Sequence, residues 1–215
     1  MLVRWSSKYF TVSLWWILVL AGHHLHKVYF GISALFNPLL VALATFAIII
    51  YSDLIYFSDH VHFVIAATFA AFFPMVTILH YKKIGKIISI DTPIREERVE
   101  LLAIACIFNS LGFILLYIVG APPIVQGLMF CYALNTAIVW TITKYWKISI
   151  HLVGVGGPVV ALWIHGYRFP ILMAITIFII AISRVRLGAH TVAQVIAGTA
   201  LAIILAYLEL SYLFL

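Results

Sequence analysis

The chain has 215 residues, 65% of them hydrophobic and only 9% charged, with a mean hydropathy of +1.16. This excludes a soluble globular domain, and the nearly unbroken apolar runs 171–182 and 195–205 exclude a transmembrane β-barrel, whose strands would alternate. One domain over 1–215, an all-α polytopic transmembrane helix bundle, is the fold expected. The net charge of +6 and pI near 9.4 have no soluble basic domain to carry nucleic-acid binding; membrane lipids with anionic head groups, or phosphate substrates, are the partners that fit.

The first apolar segment, about 9–22, follows Arg4 and Lys8 and has the outline of a signal sequence. In a polytopic chain it reads as a retained first helix or interfacial segment, with Trp5, Trp15 and Trp16 at the interface. His23, His24 and His26 have no carboxylate nearby, so they read as head-group histidines and not as a metal site.

Seven further spans follow at about 31–51, 61–81, 99–119, 124–143, 152–164, 170–182 and 191–213. The fifth and sixth are short of the ~20 residues a span needs, which predicts that they extend into their flanks or cross a thinned bilayer. Ala121-Pro122-Pro123 and 166–170 are tight turns. The longest polar stretch, Lys82 to Arg98, is a loop leading into a helix with Pro93 in its first turn. Cys106 and Cys131 lie in apolar runs as packing residues. In the last span, Ala189, Ala193 and Ala197 form one small-residue stripe and Gly198, Ala202 and Ala206 another, so close helix packing is expected there.

Two spans separate Arg98 from Lys144, and two more separate His151 from Ser183. The polar segments Lys82–Arg98, Lys144–His151 and Ser183–His190 therefore share one face of the membrane. Nine of the 13 Lys and Arg residues lie on it, while the back turns hold only Arg168, which points to a cytoplasmic face.

In so apolar a chain, two arginines and a histidine between two apolar runs mark the functional stretch, Ser183 to Gln194. The planar fork of Arg184 matches a phosphate, and a histidine can attack phosphorus or move a proton. Arg184, His151 and His190 are the candidate core, with Lys86, Arg95, Arg98, Lys144 and Lys147 as auxiliaries or as plain head-group anchors.

At these residues the sequence resembles the type 2 phosphatidic acid phosphatase superfamily, membrane relatives of the vanadium haloperoxidases. That family's third motif reads Ser-Arg, five residues, His, three residues, Asp; this chain has Ser183-Arg184, five residues, His190, three residues, then Gln194. The second motif, Pro-Ser-Gly-His, is matched in part by Ile148-Ser149-Ile150-His151. The first motif, Lys, six residues, Arg-Pro, is absent, and Lys86, Asp91, Pro93, Arg95 and Arg98 lie where it should be. The resemblance covers about Lys82 to Leu213 and implies a core of this kind over about 61–213.

The resemblance also implies roles. His190 would be the nucleophile that forms a phosphohistidine, His151 the acid that protonates the leaving group, and Gln194 would stand in the place of the acid that fixes the nucleophile's tautomer. Arg184, Ser149 and Ser183, with Lys86, Arg95, Arg98 and Lys147, would hold the phosphoryl group, with no metal and no cofactor. The implied activity is a membrane phosphoric monoester or diphosphate hydrolase acting on an isoprenoid or glycerolipid phosphate. Two alternatives stay open: phosphotransfer to an alcohol, and a lipid-binding or transport protein that kept the fold without the chemistry.

Overall fold

The computed structural model describes residues 25–215; the apolar segment about 9–22 and His23 and His24 lie outside the described residues. Every described element is helical: α1 (Leu25–Leu35), α2 (Pro38–Ile50), α3 (Phe57–Ala67), α4 (Phe73–Lys83), α5 (Arg95–Ile118), α6 (Pro123–Thr143), α7 (Ile150–His165), α8 (Pro170–Arg186) and α9 (Val192–Glu209). The first expected span is a broken one. Pro38 has no amide hydrogen to continue α1, the Asn37 side chain accepts from Leu39 N–H as the cap of a new helix, and α1 and α2 meet at 46°.

α3 and α4 are one 27-residue helix, Phe57–Lys83, with a π turn at Thr68–Phe72. The wide turn lies just before Pro74, whose ring cannot sit against the carbonyl four residues back in a regular helix. Counting the bent pair as one, five units are long and apolar enough to cross a membrane. Their outward side chains, such as Val64, Ile107, Ile114 and Ile204, are exposed and apolar, as expected of surfaces facing lipid.

α7 has 16 residues and α8 has 17. α7 is short because it is the central helix: it packs on α2, α6, α8 and α9 and is surrounded mainly by protein. Its glycines make this possible. A Cβ on Gly154 would lie 2.6 Å from Pro38 Cβ, and one on Gly156 would lie 2.7 Å from Ala202 Cβ. Of the two small-residue stripes on α9, only Gly198, Ala202 and Ala206 face this helix and are buried; Ala193 is exposed. α8 extends past Ile182 to Arg186, so Ser183 and Arg184 belong to its last turn and not to a loop.

The main core lies between α2, α6 and α9, around Phe46, Val125, Leu128, Met129 and Leu210. Two smaller clusters lie nearer the polar face: Leu152, Val155, Ile180 and Val195, and Leu102, Val139 and Ile148. α5 starts at Arg95, two residues beyond the expected Pro93, because Thr92 is left-handed (φ 40°) and Ile94 extended.

Candidate functional site

The three polar segments meet at one end of the bundle. Arg95 Nη1 donates to the carbonyls of Lys144 and Tyr145, Ser149 N–H donates to the Gln194 carbonyl, and Arg184 donates to Asp91. α1 joins them through Ser33 and through the Tyr29 carbonyl, which accepts from Ser183 Oγ at 2.7 Å.

Arg184 is fully buried. One end of its guanidinium is occupied: Nη1 donates to Ser33 Oγ and to the Asp91 carboxylate, 3.0 Å from Oδ2 and 3.4 Å from Oδ1. The other edge, Nε and Nη2, has no hydrogen-bond partner among the described residues. An unpaired guanidinium edge in the interior is costly, and it is the edge that fits two oxygens of one anion. The Ser149 hydroxyl, also buried, has no partner among the described residues either.

The geometry at His190 follows from local chain chemistry. Gly188, at φ 65°, turns the chain out of α8, and Thr191 caps α9. Thr191 Oγ1 accepts from Gln194 N–H, and Gln194 Oε1 accepts from Thr191 N–H at 3.2 Å, a capping box. A backbone N–H can only donate, so the Gln194 atom facing it is the carbonyl oxygen. The same oxygen lies 3.1 Å from His190 Nδ1, which must then carry the ring proton. Nε2 keeps its lone pair and lies 3.5 Å from Arg98 Nη1. Burial, and then the charges of Arg98 and Arg184, push the His190 pKa down to about 3 against the opposing Gln194 hydrogen bond, so the ring is neutral at physiological pH.

Arg98, in the first turns of α5, is buried; its Nε donates to the Thr92 carbonyl at 2.6 Å and its Nη2 to the Asp91 carbonyl at 3.4 Å. His151, at the start of α7, has Nε2 3.4 Å from Ser33 Oγ and 3.8 Å from Asp91 Oδ1. Burial works to raise the Asp91 pKa, but Arg184, His151 and Arg98 outweigh it and hold the carboxyl below its ordinary value. Lys147 is part-buried nearby; burial, then Arg98 and Arg184, lowers its pKa. Three cations thus gather around one carboxylate.

Of the residues singled out from sequence, His190, Gln194, Arg98, Arg184, His151 and Lys147 fall in this cluster or at its edge, and Ser149 joins it through its backbone link to Gln194. Three are engaged elsewhere. Lys86 pairs with Glu100 at 2.6 Å, Arg95 with Glu96 at 2.7 Å, and Ser183 with the Tyr29 carbonyl. Ser33 and the role of Asp91 were not anticipated. Ser33 reads as a small residue inside an apolar run. Asp91 stood out only as one of the residues of the polar stretch before Arg98, with no role of its own.

A cleft between α2, α4, α5 and α7 opens beside Asp91, Arg98 and His151 and is otherwise mostly apolar, with Pro38, Leu39, Pro74, Leu101 and Leu102 on its walls. A second, neighbouring cleft shares Pro38, Leu39, Pro74, Leu102 and Ala105 with it and reaches Asn109, Tyr132 and Asn135. Asn109 follows Arg98 by 11 residues on α5, so the two clefts together line about 16 Å of that helix. Comparison with protein-family models, with curated proteins and with solved structures finds no match to this chain.

Proposed function

We propose that the chain is an integral-membrane lipid phosphatase whose 61–213 region is a core of the type 2 phosphatidic acid phosphatase kind. The observation that carries this reading is His190: a neutral imidazole, its Nδ1 proton held by Gln194 and its Nε2 lone pair turned toward Arg98, in one cluster with the half-paired Arg184. An unprotonated ring nitrogen facing a group of buried cations is what attack on a phosphoryl group requires.

In the proposed reaction the Nε2 lone pair forms a bond to phosphorus as the bond to the leaving oxygen breaks, and His151, which takes up a proton only beside the bound phosphoryl anion, gives it to that oxygen. Water then attacks phosphorus and gives a proton to His151, the N–P bond breaks, and its electron pair returns to Nε2. Arg184, Arg98 and Lys147 hold the non-bridging oxygens, and the Ser149 hydroxyl adds a donor. The mostly apolar cleft leading away from Asp91, Arg98 and His151 supports a hydrocarbon-bearing substrate, an isoprenoid or glycerolipid mono- or diphosphate.

The test is release of inorganic phosphate from a panel of lipid phosphates by the full chain in detergent, beside His190→Ala. Release by the native chain and its loss in the variant supports the reading; equal background in both refutes it. The rival, a lipid-binding or transport protein, is favoured by Gln194, which orients the imidazole but brings no negative charge to stabilise a phosphohistidine. We also place the site on the cytoplasmic face, from the excess of Lys and Arg there. Cysteines introduced at Pro122 and Tyr167 should then react with an impermeant reagent added outside intact cells; reaction at a cysteine in the 83–91 loop would reverse the orientation.

A further inference from the structure

We propose that Asp91 and Thr92 are an internal ligand of the anion site, a latch that occupies its arginines until a phosphoryl group displaces it; this rests on the phosphoryl reading above. Both guanidinium groups of the site are taken by oxygens of these two consecutive residues. The Asp91 carboxylate sits on Arg184 Nη1 at 3.0 Å with its other oxygen 3.8 Å from His151 Nε2. The Thr92 and Asp91 carbonyls sit on Arg98 Nε and Nη2 at 2.6 and 3.4 Å. The carboxylate thus lies between Arg184 and His151, two of the groups proposed to meet the phosphoryl group.

The backbone that delivers these oxygens is strained. Thr92 has a φ of 40°, a region a β-branched residue adopts only when surrounding contacts hold it there. Those contacts include the bonds to Arg98 and, through Asp91, to Arg184. Pro93 follows, and a residue before proline favours the extended region, so Thr92 has a relaxed conformation to fall into once released.

The rest of the loop is anchored independently. Ile87 is buried, Ile88 N–H donates to the Glu97 carboxylate, and Lys86 pairs with Glu100. Residues 91–92 can therefore lift without the whole loop unfolding. The Asp91 side chain is 42% exposed, so it stands at the mouth of the site, over an Arg184 side chain that is 1% exposed. The Asp91 carboxylate gives the buried Arg184 guanidinium its counter-charge. A phosphoryl group brings more oxygens, enough for the unpaired Nε and Nη2 edge as well as Nη1, and so can replace it.

The experiment is calorimetric titration of the full chain in detergent micelles with inorganic phosphate at pH 7.5, for the native protein, Asp91→Asn, Asp91→Ala and Arg184→Ala. Removing the competing carboxylate should tighten phosphate binding at least about tenfold in both Asp91 variants, while Arg184→Ala abolishes it. Binding that is equal or weaker in the Asp91 variants overturns the latch and leaves the phosphoryl site standing. No saturable binding in any chain overturns both. Where the variants do not fold, hydrogen exchange in the native chain decides: added phosphate should speed exchange in the 88–94 peptide, and unchanged or slower exchange there overturns the latch.

Discussion

Replacing Gln194 by glutamate isolates the one feature that the His190 geometry lacks. The side chains have the same length, so Gln194→Glu sets a carboxylate oxygen about where Oε1 now accepts from His190 Nδ1 at 3.1 Å and from Thr191 N–H at 3.2 Å. Both bonds survive, and Thr-x-x-Glu is itself a favourable capping box at the N-terminus of α9. Aspartate would also supply the charge, but glutamate keeps the side-chain length and the capping box, so it changes the charge alone.

Unit charges about 4 Å apart interact by about 4 kcal/mol at an effective dielectric constant of about 20. The Thr191 side of Gln194 is open to water, so about a third of that, ~1.4 kcal/mol, is the expected gain for an imidazole that becomes cationic on phosphorylation. This is tenfold in rate. The same charge raises the His190 pKa from about 3, and even a rise of about three units, the full 4 kcal/mol, leaves the ring largely neutral at pH 7.5. The expected result is at least about tenfold faster phosphate release from a lipid phosphate near pH 7.5, with the acid limb of the pH–rate profile moved to higher pH. If Gln194→Glu folds as the native chain does yet releases no more phosphate than His190→Ala, the nucleophile assignment is refuted.

Arg184→Lys should lose nearly as much phosphate affinity and activity as Arg184→Ala, because an ammonium cannot present two parallel donors in place of the Nε and Nη2 edge, which has no partner among the described residues; native-like titration with phosphate would contradict this. Gly198→Ala should lower stability by about 1–3 kcal/mol, since its Cβ would meet the Ser149 carbonyl at 2.9 Å. Gly31→Ala, with nothing within 4 Å, should be neutral or stabilising by up to ~1 kcal/mol; thermal unfolding in detergent compares the two. His190 has a folded pKa of about 3, below the ~6.5 of an unfolded histidine. Its contribution to stability is complete above that unfolded value and falls away as pH drops toward 3, so His190→Asn should flatten the loss of thermal stability between pH 7.5 and 4.5.

Much of the architecture was legible because the bilayer imposes a simple code on the chain. Seven apolar runs became seven helical units, and parity alone brought 82–98, 144–151 and 183–190 to one face. The run 31–51 gave no sign of its bend beyond Pro38, since both halves are equally apolar. The short fifth run was visible, but its cause was not: α7 is enclosed mainly by other helices, which needs the Pro38 and Ala202 contacts of its glycines. Within the site, the motif residues Arg184, His190 and Gln194 could be read because they are local in sequence. Which of the basic residues in 82–98 turn inward could not, since that depends on where Glu96 and Glu100 point: they hold Arg95 and Lys86 outside, leaving Arg98 to reach His190. Ser33 lies 151 positions from Arg184, and no local pattern links them.

The polar site and the packing that holds it depend on the same short stretch of backbone. Ser149 N–H donates to the Gln194 carbonyl, and the Ser149 carbonyl lies against Gly198, so the approach of α7 to α9 sets both the capping box around His190 and the position of His151 two residues after Ser149. Arg184, on α8, reaches the cluster only because that helix continues one turn beyond its apolar run, where burying a guanidinium demands Ser33 and Asp91 as partners. Those partners serve one end of the group, and the Nε and Nη2 edge has no hydrogen-bond partner among the described residues. A side chain kept solely for packing would more cheaply be apolar, so the half-satisfied state of Arg184 is itself an argument for an anion that comes and goes.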